Sequence, residues 1–133
     1  MGNKYVQFLV FAVLLIASGV VYQNYYRPKG IGCVDWNGKT TEITMHTPKN
    51  QWVFDPSEIR VQRGDKVKLN IYNEDSYDHG FAVNAFGVDA RLFPQTWTKV
   101  DFIACNAGEF PFFCSVACGE GHLRQAGKII VTE

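Results

Sequence analysis

Lys66-Val67-Lys68-Leu69-Asn70-Ile71-Tyr72 alternates polar and apolar residues without a break, and this period of two decides the fold class. Successive side chains on a strand point to opposite faces, so such a run predicts a half-buried β-strand with Val67, Leu69 and Ile71 on one side. Similar short runs occur at 42–46, 58–62, 80–84, 97–104, 109–113 and 128–132. Turn-forming groups separate them: Thr47-Pro48-Lys49-Asn50, Asp55-Pro56, Arg63-Gly64-Asp65, Asn73-Glu74-Asp75 and Ala107-Gly108. No stretch after residue 30 keeps an apolar period of 3.6. The spacing predicts an all-β unit, a Greek-key sandwich or barrel over residues 33–133.

Working toward the amino terminus, residues 24–32 (NYYRPKGIG over 24–32) are polar, contain Pro28 and read as a linker. Before them, Tyr5 to Tyr22 is apolar except for Gln7 and Ser18. Eighteen helical residues reach roughly 27 Å, enough to cross the hydrocarbon core of a bilayer. Residues 1–23 therefore read as a transmembrane helix anchored at the interfaces by Tyr5, Tyr22, Tyr25 and Tyr26. The competing reading is a signal peptide, with Lys4 as its basic end and Ala17-Ser18-Gly19 as the cleavage site. Either way the β-unit is expected on the extracytoplasmic, periplasmic side.

The chain has 133 residues, which supports one hydrophobic core beside the terminal segment. Thirteen basic and thirteen acidic residues cancel, so no overall field favours nucleic acid or an anionic membrane surface. Ten phenylalanines predict an aromatic-rich core, and Phe110, Phe112 and Phe113 are expected mostly within it, one of them shielding the segment that follows.

That segment, Cys114-Ser115-Val116-Ala117-Cys118-Gly119-Glu120-Gly121-His122, sets three ligand-type residues at four-residue intervals. Gly119 and Gly121 disfavour a regular helix, so a tight loop between two strands is expected to aim both sulfurs and the imidazole at one point. Thiolate with imidazole selects copper, zinc or iron–sulfur clusters over magnesium and calcium. A Cys114–Cys118 disulfide and a structural zinc site are the competing chemistries. An iron–sulfur cluster would want four cysteines, and Cys33 is distant.

Cys-x3-Cys-x3-His on a β-domain, with His79-Gly80-Phe81 upstream, resembles the CuA cupredoxin domain of cytochrome c oxidase subunit II, a domain also found in nitrous oxide reductase. The likeness runs from about Glu42 to Glu133 and takes in the stretch WVFDPSEIRVQRGD at 52–65 and GEFPFF at 108–113. It implies that Cys114 and Cys118 bridge two copper ions and that His79 and His122 each cap one. It further implies that the Val116 carbonyl is a weak ligand. The family's weak thioether ligand falls on Gln125, whose amide oxygen can replace an axial donor and tune the potential. His46 has no such context and is expected to be solvated. Cys33 and Cys105 match no metal position of the family; in an oxidising compartment they are expected to pair, at roughly 2–4 kcal/mol of stabilisation.

The function implied is copper-dependent electron transfer as subunit II of a terminal oxidase. A c-type cytochrome would be the donor, a haem-containing subunit I the acceptor, and the chain alone would catalyse nothing. A membrane-anchored copper carrier or metallation factor is the alternative from another class, and a mononuclear cupredoxin is a third.

Overall fold

The computed structural model describes residues 3–26 and 35–133. The chain divides into two compact units, Met1–Gly32 and Cys33–Glu133. In the first, α1 spans Lys4–Val21 and runs into a π-helical turn at Tyr22–Tyr26. Asn3 caps it, its side-chain oxygen accepting the Tyr5 N–H at 3.2 Å. The stretch Lys4–Tyr25 has a mean hydropathy of 2.2 and none of it is buried against protein, so it is a candidate membrane span as expected.

Among the described residues, the second unit has eight strands. They are β1 (Thr40–Thr47), β2 (Glu58–Gln62), β3 (Lys66–Asn73), β4 (His79–Val83), β5 (Val88–Leu92), β6 (Trp97–Ile103), β7 (Gly108–Phe113) and β8 (Ala126–Thr132). They form a three-stranded sheet in the order β1-β3-β6 and a five-stranded sheet in the order β2-β8-β7-β4-β5. The all-β expectation holds. The decisive stretch became β3, with Val67, Leu69 and Ile71 fully buried and the intervening residues half-exposed.

Between the sheets lies one core, which includes Met45, Leu69, Phe81, Leu92, Phe112 and Ile129. Phe54, Phe81 and Phe112 pack as an aromatic trio with centroids 5.2–5.6 Å apart, as the phenylalanine content predicted. Phe113 points the other way and is exposed.

Two features depart from the sequence reading. The strand Val88–Leu92 was not foreseen, because a 3-10 turn at Asn84–Phe86 ends at Gly87 (φ 66°) and reverses the chain within a few residues. His46 is half-buried rather than solvated: it lies edge-on to Tyr72 and Trp97, with Nδ1 3.1 Å from Glu74 Oε1. Cys105 follows β6 with its Sγ 3.2 Å from the Ile103 carbonyl, while its expected pairing with Cys33 lies outside the described residues.

The sheets position a single loop. β7 and β8 are antiparallel neighbours, and the loop 114–125 joins them at one end of the five-stranded sheet. Its two ends are tied by the Cys114 N–H, which donates to the Gln125 carbonyl at 3.0 Å.

Candidate metal centre

His79 opens β4, a strand in which all five residues are buried. Its Nε2 lies 2.8 Å from Asp75 Oδ2, and neither side chain is more than 1% exposed. Asp75 is fixed in turn: its Oδ1 accepts the Asn50 N–H at 2.8 Å, and its own N–H donates to Asn73 Oδ1 at 2.9 Å. A carboxylate behind one ring nitrogen leaves the other free to face a metal. That other nitrogen, Nδ1, stands 4.0 Å from Cys114 Sγ and 2.7 Å from Gln125 Oε1. Burial alone would lower the His79 pKa, but its hydrogen bonds to Cys114, Asp75 and Gln125 outweigh it and raise the pKa. A metal ion ligated at Nδ1 would take the place of any proton held there.

Cys114 sits where β7 ends. Its sulfur faces the Gly80 N–H at 3.3 Å and lies 3.1 Å from the Val116 carbonyl. Gly80 is there for space: a Cβ would fall 2.3 Å from Ser115 Oγ and 2.8 Å from the amide nitrogens of Ser115 and Val116. The loop can press against β4 only over a glycine. Ser115 Oγ, donating to Asp89 Oδ1 at 2.7 Å, ties the same loop to β5.

Cys118 places its sulfur 3.4 Å from that of Cys114, and both side chains are buried and free. Burial pushes the Cys114 thiol up, yet hydrogen bonds from His79, the Gly80 amide and others bring it down to about 6. Cys118 is pushed up to about 12, first by burial and then by the adjoining Cys114 sulfur. The pair thus gives up its first proton readily and holds its second. A bound cation removes that second penalty, because it neutralises both thiolates at once.

On the far side of Cys118, His122 Nδ1 lies 3.7 Å from its sulfur, at the start of a 3-10 turn spanning His122–Arg124. Gln125 is 1% exposed, and its Oε1 is 3.3 Å from Cys118 Sγ as well as 2.7 Å from His79 Nδ1. Ligand-type atoms of His79, Cys114 and Cys118 lie within 4.8 Å of one another. His122 joins them through Cys118, Val116 through its carbonyl and Gln125 through its amide oxygen.

Two contributors were invisible in the sequence. Asp78 adjoins His79 there, but its carboxylate binds Arg91 and takes no part in the site. The turn at 73–78 brings Asp75 to the ring instead; the turn-forming group Asn73-Glu74-Asp75 marks the turn but not which side chain faces His79. Trp52, from the segment after β1, donates its indole N–H to the Cys118 carbonyl at 2.9 Å.

The donor set discriminates among metals. Two thiol sulfurs and two imidazole nitrogens surround the space, and the nearest carboxylate, Asp75, stands behind His79 rather than in it. Such a set fits a soft or borderline ion and does not fit magnesium or calcium. It fits copper.

Comparison with known proteins agrees. The nitrous-oxide reductase of Ralstonia nicotianae is 32% identical over 109 residues, which cover 78% of this chain and 16% of that protein. The chain thus spans about a sixth of the length of this relative. The structure superposes on the periplasmic domain of subunit II of cytochrome oxidase from Bradyrhizobium japonicum with a TM-score of 0.60, at 23% identity, covering 69% of this chain and 83% of that one. It also matches a chain of a heme-copper terminal oxidase dimer, with a TM-score of 0.61, at 22% identity and 97% coverage of both. Residues 10–131 match the cupredoxin-like domain, and the chain belongs to that family.

Proposed function

We propose that this chain is a one-electron carrier whose centre is a CuA-like pair of copper ions held by Cys114, Cys118, His79 and His122. One observation carries the binuclear reading. The two sulfurs stand side by side at 3.4 Å, and each has its own imidazole nitrogen, at 4.0 Å for His79 and 3.7 Å for His122. A mononuclear site needs no such doubled arrangement. When bound by these residues, the copper pair would supply a redox level that takes up and gives up one electron at a time.

The protein's part is to hold its donors still. Asp75 orients His79, the Gly80 amide steadies Cys114, and the two strands flanking the loop fix its ends. Burial of both cysteines, His79 and Gln125 keeps water from reorganising around a changing charge. Val116 and Gln125 would supply weak oxygen donors, Gln125 on the His79 side. The oxidase and reductase relatives support a place in a respiratory chain, most simply as an oxidase subunit II. A c-type cytochrome would then donate the electron, a haem-containing oxidase subunit I would receive it, and α1 would anchor the domain on the periplasmic side.

The second reading, a membrane-anchored copper carrier, draws on Gln125. An amide oxygen is a poorer partner for Cu(I) than a thioether, and copper held by fewer strong donors is easier to hand on. Loading the detergent-solubilised chain with copper separates the readings. We expect two coppers per chain and an electron resonance in which one electron is shared by both. One copper per chain would sink the binuclear assignment in favour of a mononuclear cupredoxin. Tight Cu(I) binding with no stable oxidised form would favour the carrier.

A further inference from the structure

Trp52 adopts φ +49°, a left-handed conformation that a bulky residue takes only when its surroundings compel it. What holds it there is the ligand loop. Its indole N–H donates to the Cys118 carbonyl at 2.9 Å, so it grips the backbone of a ligand residue. Its ring fills the space left by two glycines of the same loop. A Cβ on Gly121 would fall 2.2 Å from Trp52 Cγ and 2.4 Å from its Cβ, and one on Gly119 would fall 3.2 Å from Cζ2. Gly119 has φ +115°, so that position calls for glycine on backbone grounds as well. Gly121 has φ −88°, which any residue can adopt, so Trp52 is what demands glycine there.

The same ring reaches the other ligand-bearing element. Trp52 stacks on Tyr77 with centroids 6.4 Å apart and planes 29° apart, and Tyr77 lies 5.2 Å from the His79 ring. One aromatic column therefore joins the Cys118–His122 turn to the turn that delivers His79. Both Trp52 and Tyr77 are half-buried and pack against the core.

We infer that Trp52 is a positioning residue of the metal centre: its strained backbone holds the indole where it clamps the Cys118–His122 turn and fixes its distance from His79. The inference rests on the copper reading above and adds a residue that touches no metal. A clamp of this kind sets how equally two coppers are held, because His122 moves with the turn while His79 stays on β4.

The test is a set of variants in the detergent-solubilised full chain, titrated with Cu(I) against a competing chelator and examined by electron resonance after oxidation. Trp52→Phe keeps the ring and removes the donor. We expect affinity to fall about 10- to 100-fold and the shared-electron pattern to become unequal, with the melting temperature of the metal-free protein little changed. Gly121→Ala should be equally damaging with Trp52 present and nearly neutral in the Trp52→Gly background, where both the ring and the Cβ it would meet are gone. Affinity within about twofold of the unaltered chain for Trp52→Phe, with an unchanged resonance, would overturn the clamp. So would a Gly121→Ala penalty that persists in full without the tryptophan. If the unaltered chain takes up no copper, the copper reading fails and this inference falls with it; a loss confined to the variants concerns the clamp alone.

Discussion

Asp75 and Asp78 are three positions apart and both precede His79, yet they have opposite consequences for the site. The Asp75 carboxylate is buried behind the imidazole at 2.8 Å, whereas the Asp78 carboxylate is spent on Arg91 at the surface, with Nε 2.7 Å away. Asp75→Asn keeps the shape and loses the charge that raises the basicity of His79. Copper affinity is expected to drop about 10- to 100-fold for Asp75→Asn and to stay unchanged for Asp78→Asn, measured by titration against a chelator. Equal behaviour of the two variants would show that the Asp75 contact does not act on the centre. At this scale the sequence was partly legible. The proposed ligands Cys114, Cys118 and His122 could be singled out without a structure, because soft side chains at regular spacing are rare. Their supports are ordinary residues made special by position, and adjacency to His79 does not decide between Asp75 and Asp78. Trp52 lies 66 positions from Cys118, and nothing local links the two.

Among the elements, the turn between β2 and β3 is held by a buried charge rather than by apolar packing. Asp65 is fully buried and accepts from Asn37 Nδ2 at 2.9 Å, Thr41 Oγ1 at 3.0 Å and the Gln62 N–H at 3.2 Å. Lys39 Nζ stands 3.4 Å away. Burial would raise the carboxyl pKa, but these donors together lower it below its ordinary 3.8. A folded-state pKa below the unfolded one means stabilisation that is complete above pH 3.8 and is lost as pH falls through the lower, folded value. Asp65→Asn is expected to cost about 2 kcal/mol near neutrality, with the gap from the unaltered chain closing in strong acid. Urea unfolding at neutral and acid pH measures it, and a gap that is constant with pH would exclude the charge as its cause. The strands were largely legible because β2 and β3 alternate so regularly. Their partners were not. β1 lies parallel to β3 and β2 parallel to β8, pairings settled by closure of the core and not by any property of the paired residues. β5 escaped notice although Val88-Asp89-Ala90-Arg91-Leu92 alternates in the same way, with Val88 and Leu92 buried, because the tight turn ending at Gly87 hides where it begins.

At the scale of the whole chain, the two units ask for different solvents. The β-unit buries its apolar side chains in its own core, whereas α1 leaves Phe8, Phe11, Leu14 and Ile16 each more than 60% exposed and has no buried residue. Water is a poor environment for such a surface and a bilayer a good one. Electrostatic adhesion offers no substitute, since thirteen basic and thirteen acidic residues balance. Membrane attachment, if it rests on α1, should therefore be insensitive to salt and abolished by removing the helix. The full chain reconstituted with neutral lipid vesicles is expected to float with them through a density gradient and to stay after high-salt and alkaline washes. A chain starting at residue 27 should remain with the soluble fraction and bind copper with the same stoichiometry and resonance, because every donor of the centre belongs to the β-unit. Release of the full chain by salt would move attachment to the surface of the β-unit, and loss of copper binding on truncation would mean that the helix helps to build the centre.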